Sequence, residues 1–390
     1  MDGIKVLDVG SMYAGPVVAT FLADLGADVI KVEPPGGDAL RHFAFSWPME
    51  GRGKRSVTID MRSPAGRDLV KKLAEDADII VENHTVGTME RLGLGPDVLQ
   101  AINPRLVYVR ATGYGQTGPY ADRRAMDPIG LAFGGISHLL RNADGVPQLT
   151  GNLFIADYAT ALVGALGATE AVRRRDAVPD GQGKGEVVDV SMYDLLARIT
   201  GSEVINHTLA VSQGKTSTEL ATRPAPWGPF KASDGVWVMI CVVPYIGMWP
   251  KFVDALDADW ARGEDGKAVD ALQYGQIDLV NEHVAQWAAE RTADEIVDLL
   301  SATNIPAAKC MTPALLIEDE HLTAKGVYED HVTKDGVAFK MPGPIPQIGP
   351  ERRTTSRPAP EVGEHTEEVL SGQLGLSAET LADLKANGII

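Results

Sequence analysis

Cysteine is nearly absent: the 390 residues hold only Cys241 and Cys310, each among apolar neighbours. That excludes a disulfide framework and a CxxC metal pattern, and it suits a reducing compartment. Basic residues are outnumbered, 36 Lys and Arg against 53 Asp and Glu, for a formal net charge of −17. Sequence-independent nucleic-acid binding needs a basic surface, so that class is not expected. No apolar run reaches the roughly 18 residues of a membrane span. The opening MDGIKVLDVG shows no charged, cleavable leader. A soluble cytoplasmic protein is expected, and the sequons at Asn83 and Asn206 are read as accidental. Also missing are a Walker loop, an HExxH pair and a GxSxG elbow, and the eight histidines lack ligand spacing. No metal is expected.

What is present is an alternation of strand and helix signals. Ile4–Val9 reads as a buried strand, followed by a Gly10–Gly15 turn and a helix from Pro16 to Gly26. Strands at Val29–Val32, Val57–Ile59, Ile79–Val81 and Leu106–Ala111 follow, with helices led by Ser63-Pro64 and by Pro96 between them. This rhythm predicts an α/β fold, a parallel sheet covered on both faces. A long helix is predicted over 153–175, then a loop at 176–185 and a strand at Glu186–Met192. Composition shifts near 213–234, where Gly, Pro, Ser and Thr cluster, and a mixed α+β segment follows. The Pro-rich stretch 341–360 reads as extended chain, with a closing helix at Ala378–Asn387. The expected division is 1–212, a smaller domain at 213–340, and a return over 341–390.

Few residues carry chemistry on spacing alone. Gly113–Gly118 matches GxGxxG after a strand, but Pro119 and polar residues follow instead of a helix. A nicotinamide site is not expected there. Asp157 meets a helix start after an apolar approach, as a helix cap or as a carboxylate nucleophile that the N-terminal turn keeps ionised. Asp127 is either a turn former or a second carboxylate near the first. Arg52, Lys54, Arg55 and Arg62 bracket the strand at Val57–Ile59, and Arg91 and Arg124 lie near loops that follow strands. They are either solvated charge or a docking place for a phosphate-bearing ligand.

Several phrases allow more. Tyr13-Ala-Gly-Pro16, Leu25-Gly-Ala-Asp-Val-Ile-Lys-Val-Glu33, Gly53-Lys-Arg-Ser56, Asn103-Pro-Arg-Leu-Val107, Gly115-Gln-Thr-Gly-Pro119, Val188-Asp-Val-Ser191 and Gly363-Glu-His-Thr366 resemble, in order along nearly the whole chain, the family III CoA-transferases. The resemblance implies a large Rossmann-like domain built from both chain ends, a small inserted domain, and an interlocked, ring-like homodimer. It places Asp157 on the family's catalytic aspartate and Asp127 beside it. It places coenzyme A contacts on Tyr13, Ala14, Ile59, Arg62, Asn83, His84, Arg91 and Arg124. The substrates it implies are an acyl-CoA and a small organic acid, with no tightly bound cofactor.

The departures from the family pattern are informative. Tyr13 stands where formyl-CoA transferases have Gln, Pro34 where they have Arg, and Asn83-His-Thr-Val-Gly87 replaces Asn-Phe-Arg-Pro-Gly. The glycine-run lid of the formyl type is replaced by Thr222-Arg-Pro-Ala-Pro-Trp-Gly228. The family's racemases carry His directly before the residue matching Asp127. Here that position is Met126, which cannot move a proton. A transferase is therefore expected over a racemase, with a non-catalytic acyl-CoA-binding protein as the remaining alternative.

Overall fold

The computed structural model describes residues 1–43, 45–216, 224–243, 246–270 and 272–390. The chain forms two compact units, one of Met1–Gly201 with Gly326–Ile390 and the other of Ser202–Lys325. The boundaries thus fall at 201/202 and 325/326, not at the expected 212/213 and 340/341. The helix Gly201–Ser212 runs on past the first boundary, so the composition shift near 213 begins only after that helix has ended. The hairpin of Tyr328–Val332 and Ala338–Pro342, which runs into the start of the Pro-rich stretch, already belongs to the first unit. Of the stretch Thr222–Gly228, Thr222 and Arg223 lie outside the described residues.

The first unit is built on six parallel strands: β1 (Lys5–Asp8), β2 (Asp28–Glu33), β3 (Lys54–Thr58), β4 (Ile79–Glu82), β5 (Val107–Thr112) and β6 (Val187–Ser191). Their order is β3-β2-β1-β4-β5-β6, so the chain winds outward from β1 and then returns to the other side of it. The reversal between β1 and β4 opens a crevice at their carboxyl ends, where such sheets bind ligands.

Helices cover both faces, as near-continuous apolar strands require. On one face Ala14–Asp24 and Ile155–Asp176 pack together over Val6, Val29, Val107 and Val109. Their approach depends on Gly164, where a Cβ would lie 2.8 Å from Val18 Cγ2. On the other face Pro64–Ala74 starts as read, with Ser63 Oγ accepting the Gly66 N–H at 2.9 Å and Pro64 in the first turn. The chain's last helices cover this face as well, through Val369, Leu370 and Leu381.

The strand β3 departs from expectation. It begins at Lys54, three residues before Val57, and Arg52, Lys54 and Arg55 are not free cations. Lys54 is fully buried on Asp8 at 3.0 Å, Arg52 pairs with Asp24 at 2.7 Å, and Arg55 pairs with Asp28 at 2.6 Å. Arg52 and Arg55 stay at the amino end of β3, while the Lys54 ammonium reaches Asp8 and the Pro16 carbonyl beneath the loop after β1.

The second unit carries a three-stranded antiparallel sheet of Trp227–Lys231, Trp237–Cys241 and Ala307–Lys309. Helices led by Met248, Ile277 and Ala293 pack on it around Val238, Ile240, Phe252, Val284 and Ile296. No helix of the described residues is long and apolar enough to cross a membrane.

Candidate functional site

The loop after β1 forms one wall of the crevice, and a buried ionic lattice fixes it. Asp8 Oδ1 accepts the Gly10 N–H at 3.0 Å, and Lys31 donates to the Gly10 carbonyl. Asp38 Oδ1 accepts the Met12 N–H at 3.0 Å and the Leu40 N–H at 2.8 Å, while its Oδ2 pairs with Lys31 at 2.8 Å. Met12 is held at φ +63°, a conformation that L residues seldom adopt without such support. Burial works against the Lys31 charge, but Asp8 and Asp38 outweigh it and raise its proton affinity above the ordinary lysine range.

The segment after β4 is tied to the same loop. The Asn83 carboxamide accepts the Ser11 N–H at 2.8 Å and donates to the Ser11 carbonyl at 2.7 Å. His84 donates through Nε2 to the Val9 carbonyl at 2.9 Å, and its backbone N–H goes to Glu82 at 2.7 Å. The two sides of the switch point are thereby locked at one separation.

The carboxylates come from two helix starts. Asp157 is the third residue of Ile155–Asp176, and Asp127 is the first of Asp127–Phe133. Asp127 Oδ1 accepts the backbone N–H groups of Ala156 at 2.6 Å and of Asp157 at 3.1 Å. The cap of the long helix is therefore Asp127, not Asp157. Gly130 lets the two helices meet, since a Cβ there would lie 2.9 Å from Ala156 Cβ and 3.1 Å from Met192 Cβ.

Burial, and then the Asp127 charge, push Asp157 up to about 7. Desolvation and a like charge thus work against the helix N-terminus that was expected to keep Asp157 ionised. Asp127 is also raised by burial, against the pull of its two N–H donors. Beside Asp157, the Tyr13 ring stacks on Phe154 at 4.1 Å, and its hydroxyl bonds Ser46. Tyr158 donates to the buried Glu50.

These groups open into a cleft of about 870 Å³. It brings together Tyr13, Ala14, Asn83, His84, Arg124, Asp127 and Asp157, seven of the ten residues singled out from sequence. The other three lie elsewhere. Ile59 is 1% exposed in the core, and its N–H is held by the Glu33 carbonyl. Arg62 is exposed and pairs with Asp60, and Arg91 is exposed and donates to Thr88. Met126 lines the cleft at 65% exposure, so the position directly before Asp127 faces ligand space with a thioether.

Sequence reasoning missed Asp38 and Arg123. Lysine in the apolar run of β2 was a usable signal for Asp38, since a buried cation requires a carboxylate partner. Among the described residues, no group of three or more His, Cys, Asp or Glu is arranged to hold a metal.

The comparisons agree with this geometry. The family model described as CoA-transferase family III matches residues 1–366. The succinyl-CoA–L-malate CoA-transferase beta subunit of Chloroflexus aurantiacus is 34% identical, covering 100% of this chain and 98% of that protein. The formyl-CoA:oxalate CoA-transferase of Streptomyces avermitilis is 29% identical over 100% of this chain and 99% of its own. A crystal structure of a CaiB/BaiF family protein from Brucella suis superposes with a TM-score of 0.80 at 29% identity, covering 95% of this chain and 98% of that one. Strand order, crevice and sequence thus converge, and the chain belongs to CoA-transferase family III, as a CoA-transferase enzyme.

Proposed function

We propose that the protein moves coenzyme A from an acyl-CoA thioester to a small free organic acid, with Asp157 as covalent nucleophile. The observation that carries this reading is the Asp157 carboxylate, buried in the cleft at the switch point of a family III chain. Ionised Asp157 attacks the thioester carbonyl and expels the CoA thiolate, leaving an aspartyl–acyl mixed anhydride. The thiolate then attacks the aspartyl carbonyl of that anhydride, giving an aspartyl-CoA thioester and releasing the first acid as its carboxylate. The acceptor carboxylate attacks this thioester, again expelling thiolate and forming a second anhydride. Thiolate attack on the acceptor's acyl carbonyl then releases the new acyl-CoA and frees Asp157. Each step exchanges one activated acyl bond for another, so the cycle balances without ATP.

The chain's own groups serve three needs of such a cycle. A carboxylate is a weak nucleophile, so it must be positioned and kept from water. Asp127 fixes the turn that carries Asp157, and burial limits hydrolysis of the anhydride. Tyr13, Ala14, Asn83, His84 and Arg124 line the part of the cleft that receives coenzyme A in this reading, with Arg124 as a phosphate partner. The racemase alternative lacks a proton-moving group at Met126.

The relatives from Chloroflexus aurantiacus, 31% to 34% identical over the full chain, are named for succinyl-CoA as donor and for malate or citramalate as acceptor. They support succinyl-CoA and a hydroxy dicarboxylic acid as the first substrates to try. A second copy of the chain is part of the reading: Leu162 and Leu166 in the first unit, and separately Val204, Ile205 and Leu209 in the second, are at least half exposed, as apolar side chains that a homodimer buries would be. Such an enzyme belongs in the cytoplasm with its thioester substrates. Incubation with a panel of acyl-CoA donors, then hydroxylamine and peptide mass spectrometry, tests the core of it. A hydroxamate on Asp157 is expected. CoA transfer without any mark on Asp157 would remove it as the nucleophile.

A further inference from the structure

Two arginines, Arg123 and Arg124, line the cleft that holds Asp157, and among the described residues no lysine does. Arg124 suits a phosphate of coenzyme A, whereas Arg123 is held in its own way. Its guanidinium carbon lies 3.7 Å from the centre of the Tyr120 ring. Its backbone N–H reaches the Tyr120 carbonyl at 2.9 Å, which closes a turn between the two residues. The Tyr120 ring is itself fixed edge-on by Tyr114 at 5.9 Å and Phe133 at 6.1 Å. A stacked guanidinium is pre-organised and keeps its fork of N–H donors available. No described residue takes a hydrogen bond or an ion pair from that fork.

The same stretch of chain runs on to the carboxylates. Arg123 precedes Asp127 by one short segment, and Ala125, Met126 and Pro128 line the cleft with them. That segment is pressed onto the end of β5, since a Cβ at Gly113 would lie 2.4 Å from Ala125 Cβ. One wall of the cleft therefore passes from a cation, over apolar side chains, to the carboxylate that anchors Asp157. Asp127 and Asp157 repel any further carboxylate near them, and burial adds a desolvation cost. A free carboxylate at the far end of an acyl group must then point toward a cation. Arg123 is exposed, so the pair forms there without full desolvation. Its neighbour Asp122 is exposed as well and does not line the cleft.

We propose that Arg123 holds the distal carboxylate of a dicarboxylic acyl group, making it the residue that selects dicarboxylic over monocarboxylic acids. The inference rests on the reading that acyl groups are activated on Asp157 in this cleft. Donor and acceptor acyl groups occupy Asp157 in turn, so one cation serves both. The guanidinium fork matches a carboxylate in two parallel hydrogen bonds, and the methylenes between the two ends of the acid lie along Ala125 and Met126.

The test uses isotope exchange between an acyl-CoA and its own labelled acid, with succinate and butyrate as probes. The two acids differ only in a carboxylate against a methyl group at the far end, and coenzyme A is common to both pairs. The wild-type enzyme is expected to favour the succinate pair in kcat/KM. Arg123→Gln is expected to lower that preference about tenfold or more, with CoA affinity by calorimetry within about twofold of wild type. Arg123→Lys, which keeps the charge without the fork, is expected to retain part of the preference. An unchanged preference in Arg123→Gln, equal losses with both pairs, or CoA binding weakened about tenfold would each overturn the assignment, the last by placing Arg123 on the phosphates. So would a wild-type enzyme that does not favour succinate. Where wild type exchanges no butyrate, succinate alone decides: Arg123→Gln must lose about tenfold while its CoA affinity holds. Hydroxylamine labelling of Asp157 in the same preparations keeps the outcomes distinct. A labelled Asp157 with no succinate preference removes only the Arg123 contact, and an unlabelled one removes the nucleophile.

Discussion

Asp127 Oδ1 accepts the backbone N–H of Asp157 at 3.1 Å, so one carboxylate anchors the turn that carries the other. The same closeness has an electrostatic consequence, because the Asp127 charge adds to burial in raising Asp157 to about 7. If ionised Asp157 attacks the thioester, kcat/KM falls as pH drops through that value. Asp127→Asn keeps an oxygen to accept the N–H but removes the charge. The acidic limb of the pH–rate profile is therefore expected to move to lower pH in Asp127→Asn. A limb that stays in place would show that Asp127 acts on structure alone.

Asp157→Asn separates chemistry from folding. An amide cannot form the anhydride, so transfer is expected to fall at least about 10³-fold while calorimetry still detects CoA binding. Stability should move the other way. The folded-state affinity of Asp157 for its proton is raised above the unfolded value of about 3.9. The folded protein therefore binds more protons between about pH 4 and pH 7, and stability is lost as pH rises through that window. At pH 8 the Asn variant is expected to melt several degrees above wild type, and near pH 4 the difference should vanish. Equal melting temperatures at pH 8 would mean that the buried carboxylate carries no such strain.

The legible parts of the sequence were those set by local patterning. The β1 to β5 rhythm, the Ser63-Pro64 helix start and the 153–175 helix came through because apolar periodicity and caps are local signals. β3 was cut short because Lys54 and Arg55 look like loop charge until Asp8 and Asp28, far away in sequence, neutralise them. Asp157 was visible as a carboxylate at a helix start and Asp127 as a second carboxylate near it, but the capping of one helix by the other's first residue, 30 positions earlier, was not. Ile59 came only from resemblance, Arg62 and Arg91 from charge near strand ends as well, and none of them lines the cleft. A motif carries a residue type to a position; it does not carry the direction of the side chain.

The two arginines can be told apart by experiment. Arg124 lines the cleft and has no ion-pair partner among the described residues, whereas Arg91 is exposed outside it and donates to Thr88 at 2.9 Å. Arg124→Ala is expected to raise the KM for acyl-CoA about tenfold with little change in kcat, the pattern of a lost contact to a remote charged group. Arg91→Ala is expected to stay within about twofold on both constants. Steady-state kinetics at fixed acid concentration decide it, and the reverse ranking would route the phosphates over the Arg91 surface.

The lattice under the first loop is the remaining place where stability and site geometry meet. Lys31 pairs with Asp38 at 2.8 Å and also holds the Gly10 carbonyl, while Asp38 holds Met12 in its left-handed conformation. Lys31→Met leaves Asp38 buried without its cation, which is expected to cost about 3–5 kcal/mol in urea unfolding. Adding Asp38→Asn removes the orphaned charge while keeping an oxygen for the Met12 N–H, so the double variant should recover part of that loss. The Gly10–Tyr13 wall then keeps its shape without the ion pair, and the KM for acyl-CoA should return toward wild type along with stability. Recovery of stability without recovery of KM would mean that the Lys31 contact to the Gly10 carbonyl, not the charge balance, sets the wall of the cleft.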